Sequence, residues 1–245
     1  MGSKSLFVYP TEQEVDKAIA QRFIDIIQSA EHPKIGMATG STPIGVYQKL
    51  VEAYDSGELS FKDVTSFNLD EYIGMTENNP SSFSYFMNTH LFDHIDIKSV
   101  HMLKGDAQDP EEEAKKYENL VCDAGPFDLQ LLGIGVNGHI GFNEPGPRLY
   151  SETHIVELTK ETIKANAKSF PSPEEVPSSA LTLGMGTIMK AKVIIFMAKG
   201  EEKAEIVRQV FEGPITTQIP GSLLQLHPNV EVYLDAQAAS KLSNL

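Results

Sequence analysis

Short apolar runs alternate with amphipathic helical stretches along nearly the whole of this 245-residue chain, and that alternation leaves few folds open. Ser5 to Tyr9, Lys34 to Ala38, Val64 to Leu69, Phe127 to Leu132, Thr153 to Leu158, Ala191 to Ala198 and Val230 to Leu234 read as strands. Between the first two, Val15, Ala18, Ile19, Phe23, Ile26 and Ile27 keep helical spacing, which predicts a helix from Glu12 to Ser29 with Thr11 and Glu14 as its capping box. Further helices are expected after Pro43, from Asn79, from Asp109 to near Gly125, from Thr159 to about Lys168, after Gly200 and from Ala236 to Leu242. The fold class that follows is α/β, a doubly wound, mainly parallel sheet with helices on both faces. No repeat, low-complexity tract or linker interrupts the pattern, so a single domain over residues 1–245 is expected. Residues 145–177 shift in composition and carry prolines at 171, 173 and 177, which marks an excursion from the sheet and a candidate lid.

Composition narrows the function classes. The formal charge of −14 argues against nucleic acid or an anionic membrane as partner, while leaving room for a small phosphorylated ligand held by local N–H groups and one or two cations. No apolar run approaches the length that spans a bilayer, and the start, Met1 to Leu6, lacks both a secretory apolar region and the Ser or Thr of a myristoylation signal. Cys122 stands alone, which fits a reducing cytoplasm. His90 and His94 share a helical face, but with no Glu between them and no further ligand cluster, no metal is expected.

In an open α/β sheet, ligands bind beyond the carboxyl ends of the strands, so the turns there are the candidates for chemistry. Thr39-Gly-Ser-Thr-Pro43 joins a strand to a helix N-terminus and offers hydroxyls, free N–H groups and the helix dipole to an anion, although without the Gly-Lys-Ser/Thr of a P-loop. It reads equally as a tight turn and N-cap. Asp70 and Glu71 end the next strand, either as a solvated turn or with one carboxylate buried as a general base while its neighbour turns outward. Lys203 sits in a first helical turn, where the dipole disfavours a cation unless an anion binds. The richest turn runs from Gly133 to Gly146, with four glycines by residue 141 and with Asn137, His139 and Glu144. Gly133 to Gly138 fits G-x-G-x-x-G, but the continuation is too rich in glycine and proline to start the helix a dinucleotide needs, so no cofactor is expected. An Asn and a Glu beside a His suit proton transfer, because they can orient the ring and fix its tautomer.

Ala38-Thr-Gly-Ser-Thr-Pro43, Asn68-Leu-Asp-Glu-Tyr72, Gly133 to Gly146, Gly200-Glu-Glu-Lys203 and Leu226-His-Pro228 together resemble the glucosamine-6-phosphate deaminases, in the order of that family and from about Leu6 to Ala239. The resemblance implies conversion of glucosamine 6-phosphate and water to fructose 6-phosphate and ammonia. It implies that His139, backed by Glu144 and Asn137, passes the proton that opens the sugar ring, and that Asp70 is the base at the carbon bearing the amine. It implies phosphate contacts from Thr39, Gly40, Ser41, Thr42, Lys168 and Lys203. Many members have Asp at the position of Asn137 and Arg at that of Lys168; a lysine offers phosphate a point charge in place of a bidentate fork, which brings galactosamine 6-phosphate into consideration. The chain also lacks the C-terminal extension and the polar residues that allosteric members carry where Pro147 and Val156 stand, so activation by an acetylated sugar phosphate is not expected. The rival readings are a 6-phosphogluconolactonase, against which the Asp70 segment argues, and a non-catalytic sugar-phosphate sensor, against which the lack of a basic helix-turn-helix segment argues. Whether the chain acts as a monomer or a homo-oligomer is open at this level.

Overall fold

The structure is a computed structural model and describes residues 3–243; Met1 and Gly2, part of the segment read above against a leader or acyl signal, lie outside the described residues. Ten strands form: β1 (Ser3–Tyr9), β2 (Lys34–Met37), β3 (Thr65–Asn68), β4 (Asp70–Tyr72), β5 (Ser99–His101), β6 (Leu129–Leu132), β7 (His154–Glu157), β8 (Ser179–Thr182), β9 (Ile194–Ala198) and β10 (Asn229–Asp235). The helices are α1 (Glu12–Ser29), α2 (Ile44–Asp55), α3 (Phe83–His90), α4 (Pro110–Ala124), α5 (Lys160–Asn166), α6 (Met185–Ile188), α7 (Ala204–Glu212) and α8 (Ala236–Ala239).

Seven strands make one parallel sheet in the order β1-β10-β9-β6-β2-β3-β5. Every residue of β6 and β9 is buried, as parallel strands covered on both faces must be. From β2 the chain winds outward through β3 to β5; from β6 it winds the other way through β9 to β10. The reversal falls between the neighbours β2 and β6, and such a switch point opens a crevice at the carboxyl edge. α1 starts and ends as its spacing predicts, with the Thr11 hydroxyl accepting from Glu14 N and Glu14 Oε2 accepting from Thr11 N at 3.1 Å.

The remaining strands form a small antiparallel sheet, β4-β8-β7, which the alternation pattern did not predict. β3 and β4 are separated by Leu69 alone, and Asp70 pairs with Thr182 where the chain passes from one sheet to the other. The excursion at 145–177 is therefore not a free flap. It contributes β7 to the small sheet, and Leu158, Phe170 and Val176 pack with Tyr72, Phe142 and Ala180 in a second, smaller core. Two helix boundaries also move: α3 starts at Phe83 behind the cap of Ser82, and α8 ends at Ala239. His94 Nε2 bonds the Thr89 carbonyl, and the His90 ring packs on Phe86, so both belong to the helix end and its neighbours. Among the described residues, no helix is long and apolar enough to cross a membrane.

Candidate active site

The turns after β2, β3, β6 and β9, four adjacent strands, open into one cleft of about 260 Å³. Its lining includes Thr39, Gly40, Ser41, Thr42, Asp70, Asn137, His139, Lys168 and Lys203, so nine of the ten expected site residues meet there. Glu144, the tenth, stands behind His139 with its side chain only 7% exposed.

The turn at Thr39–Thr42 owes its shape to Gly40, whose φ of 94° suits glycine. Pro43 precedes α2 without any side-chain cap, so no capping side chain claims the first N–H groups of the helix. Lys203 ends a 3-10 turn, Glu201–Lys203, that leads into α7, and its ammonium donates to the Ile134 carbonyl at 2.8 Å. Burial holds the Lys203 ammonium below its usual pKa and the positive Lys168 adds to this, with Glu202 opposing both. Lys168 and Lys203 line the cleft together with the Thr39–Thr42 turn, a combination suited to an anion.

The two neighbouring carboxylates have different fates, and neither turns outward. Glu71 is buried and accepts from Tyr72 N, Phe83 N and Ser84 N at 2.9–3.0 Å, so it serves the N-terminus of α3. Asp70 faces the cleft while 6% exposed, and its pKa is pushed up to about 8 by burial first and by Glu71 second. A carboxyl group of that basicity, open to a ligand, suits proton abstraction near neutral pH. It is buried because Gly141, Thr182 and the junction of the two sheets close around it; a Cβ on Gly141 would come within 3.3 Å of Asp70 Oδ2.

Across the cleft the loop after β6 presents the His139 ring. Gly135 makes room for it, since a Cβ there would fall 2.3–2.5 Å from three ring atoms. Asn137 does not touch the ring. Its Oδ1 accepts the His139 backbone N–H at 3.2 Å and its Nδ2 donates to Glu144 Oε2 at 2.8 Å, so it braces the loop and the carboxylate. Glu144 Oε2 lies 3.6 Å from His139 Nδ1. Burial alone would raise the Glu144 carboxyl; the His139 ring, Thr162 and Asn137 outweigh it and bring the group below its ordinary value.

Residues from the excursion complete the cleft, and besides Lys168 they include two that the sequence reading does not single out. Thr162 on α5 places its hydroxyl 3.3 Å from His139 Nδ1, and Asn166 donates to the Tyr72 hydroxyl at 2.8 Å. The four-residue spacing of Thr162 and Asn166 puts them on one side of α5, and Lys168, in the 3-10 turn that follows, lines the same cleft. His227, by contrast, is buried between Ala191 O and Asn229 N and does not line the cleft.

Comparison with known proteins identifies the family. A sequence profile described as glucosamine-6-phosphate isomerases/6-phosphogluconolactonase matches residues 10–233. A glucosamine-6-phosphate deaminase of Thermoanaerobacter pseudethanolicus is 48% identical over 93% of this chain and 91% of its own. A solved monomeric glucosamine-6-phosphate deaminase superposes with a TM-score of 0.94 at 42% identity, covering 97% of this chain and 99% of that one. The 6-phosphogluconolactonase of Trypanosoma brucei shares the fold, with a TM-score of 0.75 at 21% identity, over 99% of this chain and 100% of that one. By its sequence over nearly its full length, and by its fold, this chain belongs to the glucosamine-6-phosphate isomerase/6-phosphogluconolactonase family.

Proposed function

We propose that the protein converts glucosamine 6-phosphate and water to fructose 6-phosphate and ammonia. One observation carries the reading: a buried carboxyl of raised basicity, Asp70, faces the same cleft as the proton-handling His139 and the Lys168–Lys203 anion end. Lactone hydrolysis needs no base at carbon, whereas isomerisation of an amino sugar does. Relatives at 48% and 42% identity bearing the deaminase name support the choice.

The residues divide the work as follows. The Thr39–Thr42 turn, Lys168 and Lys203 bind the phosphate. His139 takes the proton of the anomeric hydroxyl and gives it to the ring oxygen, which yields the open-chain aldehyde; Glu144 steadies the imidazolium formed in between, and Asn137 holds Glu144. Asp70 then removes the proton from C2, which the carbonyl and the ammonium group acidify, and returns it to C1. One ammonium proton ends on the C1 oxygen, leaving a C2 iminium that water hydrolyses to the ketone and ammonia. No cofactor enters this sequence. The segment 145–177 acts as a lid by seating Lys168 over the phosphate, and a cytoplasmic setting fits the lone Cys122 and the phosphorylated substrate.

The test is ammonia release from glucosamine 6-phosphate and galactosamine 6-phosphate side by side, with 6-phosphogluconolactone hydrolysis as control. Turnover of the gluco epimer with no lactonase activity is expected. Lactone hydrolysis without ammonia release from either amino sugar overturns the proposal.

A further inference from the structure

His139 can act as a base toward the cleft only if its proton sits on Nδ1 and leaves Nε2 free, so something must hold that tautomer. Glu144 is the obvious acceptor, but Oε2 stands 3.6 Å from Nδ1, beyond hydrogen-bond range, and is already engaged by Asn137. The nearer group is the hydroxyl of Thr162, at 3.3 Å. That side chain is 2% exposed, and its oxygen also accepts from the Thr159 hydroxyl at 3.1 Å. A threonine oxygen has two acceptor sites and one proton to give. Glu144 Oε1 is buried with no hydrogen-bond partner, and Thr162 is among the groups that lower the Glu144 carboxyl.

We propose that Thr162 is a positioning residue of the ring-opening step: Nδ1–H of His139 donates to Thr162 Oγ1, 3.3 Å away, and Nε2 is left as the base. Because Thr162 rides on α5, the helix that leads to Lys168 also sets the protonation of the shuttle. The charged groups sharing the cleft with the ring are Asp70, Glu161, Lys168 and Lys203, with Glu144 behind it. Among the described residues, the Thr162 hydroxyl is the group within hydrogen-bond reach of Nδ1.

The inference rests on His139 as the ring-opening residue, and the test separates the two claims. In 15N-histidine-labelled parent protein, with His139 assigned by loss of its signals in His139→Gln, Nδ1 should carry the proton; an Nε2–H tautomer overturns the proposal. Thr162→Val should shift His139 toward Nε2–H and lower kcat for the cyclic substrate on the order of 10- to 100-fold. KM and the inhibition constant of the reduced, ring-opened substrate should change less than threefold, while Thr162→Ser should keep most of the rate. Thr162→Val within twofold of the parent, or Thr162→Ser as impaired as Thr162→Val, overturns it as well. If His139→Gln still releases ammonia while the tautomer responds to Thr162, the ring-opening role of His139 fails and the Thr162–His139 contact stands.

Discussion

The cleft rests on two cores of different size. The larger joins α1, α2, α4, α7 and the parallel sheet, with Phe23, Phe67 and Phe196 among its fully or almost fully buried rings. The smaller is six buried residues around Tyr72, whose ring meets Phe83, Phe142 and Phe170 at centroid distances of 4.8–5.3 Å. The larger carries the phosphate turn, the His139 loop and Lys203. The smaller carries α5, and with it Thr162, Asn166 and Lys168. A site built this way has a preformed half and a half whose stability is set by few contacts, so the second opens at lower free-energy cost than the first. Asp70 lies at the seam between them.

The seam gives the largest expected effect. Asp70→Asn should cut ammonia release by about 1,000-fold or more while substrate still binds, measured as kcat against the binding of the reduced substrate; retained turnover removes Asp70 from the role of base. The same residue sets a pH dependence. For the free enzyme, kcat/KM should climb with pH toward about 8 as Asp70 ionises. In stability the sign is reversed. The folded-state pKa of about 8 lies above the unfolded value near 3.8, so the folded protein binds the proton more tightly, and stability falls as pH rises between the two. Asp70→Asn should abolish a slope of up to about 1.4 kcal/mol per pH unit in urea titrations across that window.

The next comparison sets one ring from each core against the other. Phe196→Ala, in the parallel sheet, should lower global stability by about 3–5 kcal/mol. Phe170→Ala should cost less in global unfolding and act instead on KM, through Lys168 and the turn Phe170 follows. Equal losses of stability, or an unchanged KM in Phe170→Ala, would mean that the two cores unfold and function as one. The smallest effect belongs to the preformed half. Gly135→Ala should displace the His139 ring and reduce kcat about 10- to 100-fold with under about 1 kcal/mol of destabilisation, since the clash is with a side chain at the cleft and not with the core.

The preformed half was legible in the sequence, because its chemistry is local. His139, Asn137 and Glu144 sit within eight residues on one loop, and the carboxyl-edge rule for parallel strands brings the Thr39 turn and Lys203 to the same place. The seam was legible only in part. Strand alternation separates Asp70 from Glu71 but cannot say which faces a ligand; the N-terminus of α3, supplied from a distance, decides it by claiming Glu71. The other half was legible in part: residue spacing predicts β7 and α5 but neither β8 nor the small sheet they join. β8 is four residues long, with Ser179 and Thr182 diluting any apolar signal. Thr162 gains its meaning only from a tertiary contact with a loop 23 residues earlier in the chain.

The pairing of β1 with β10 has a consequence for how the molecule is made. Leu6 lies against Val232, and β10 separates β1 from β9, so the first strand of the sequence docks beside the last. During synthesis β1 has no neighbour until the final strand has left the ribosome, while β2, β3 and β6 can already pair. Its exposed Leu6, Phe7 and Val8 form an apolar, unpaired edge for that whole interval. The step that completes the sheet is therefore also the one with the longest loop to close, and it will be the slow and concentration-sensitive event in refolding.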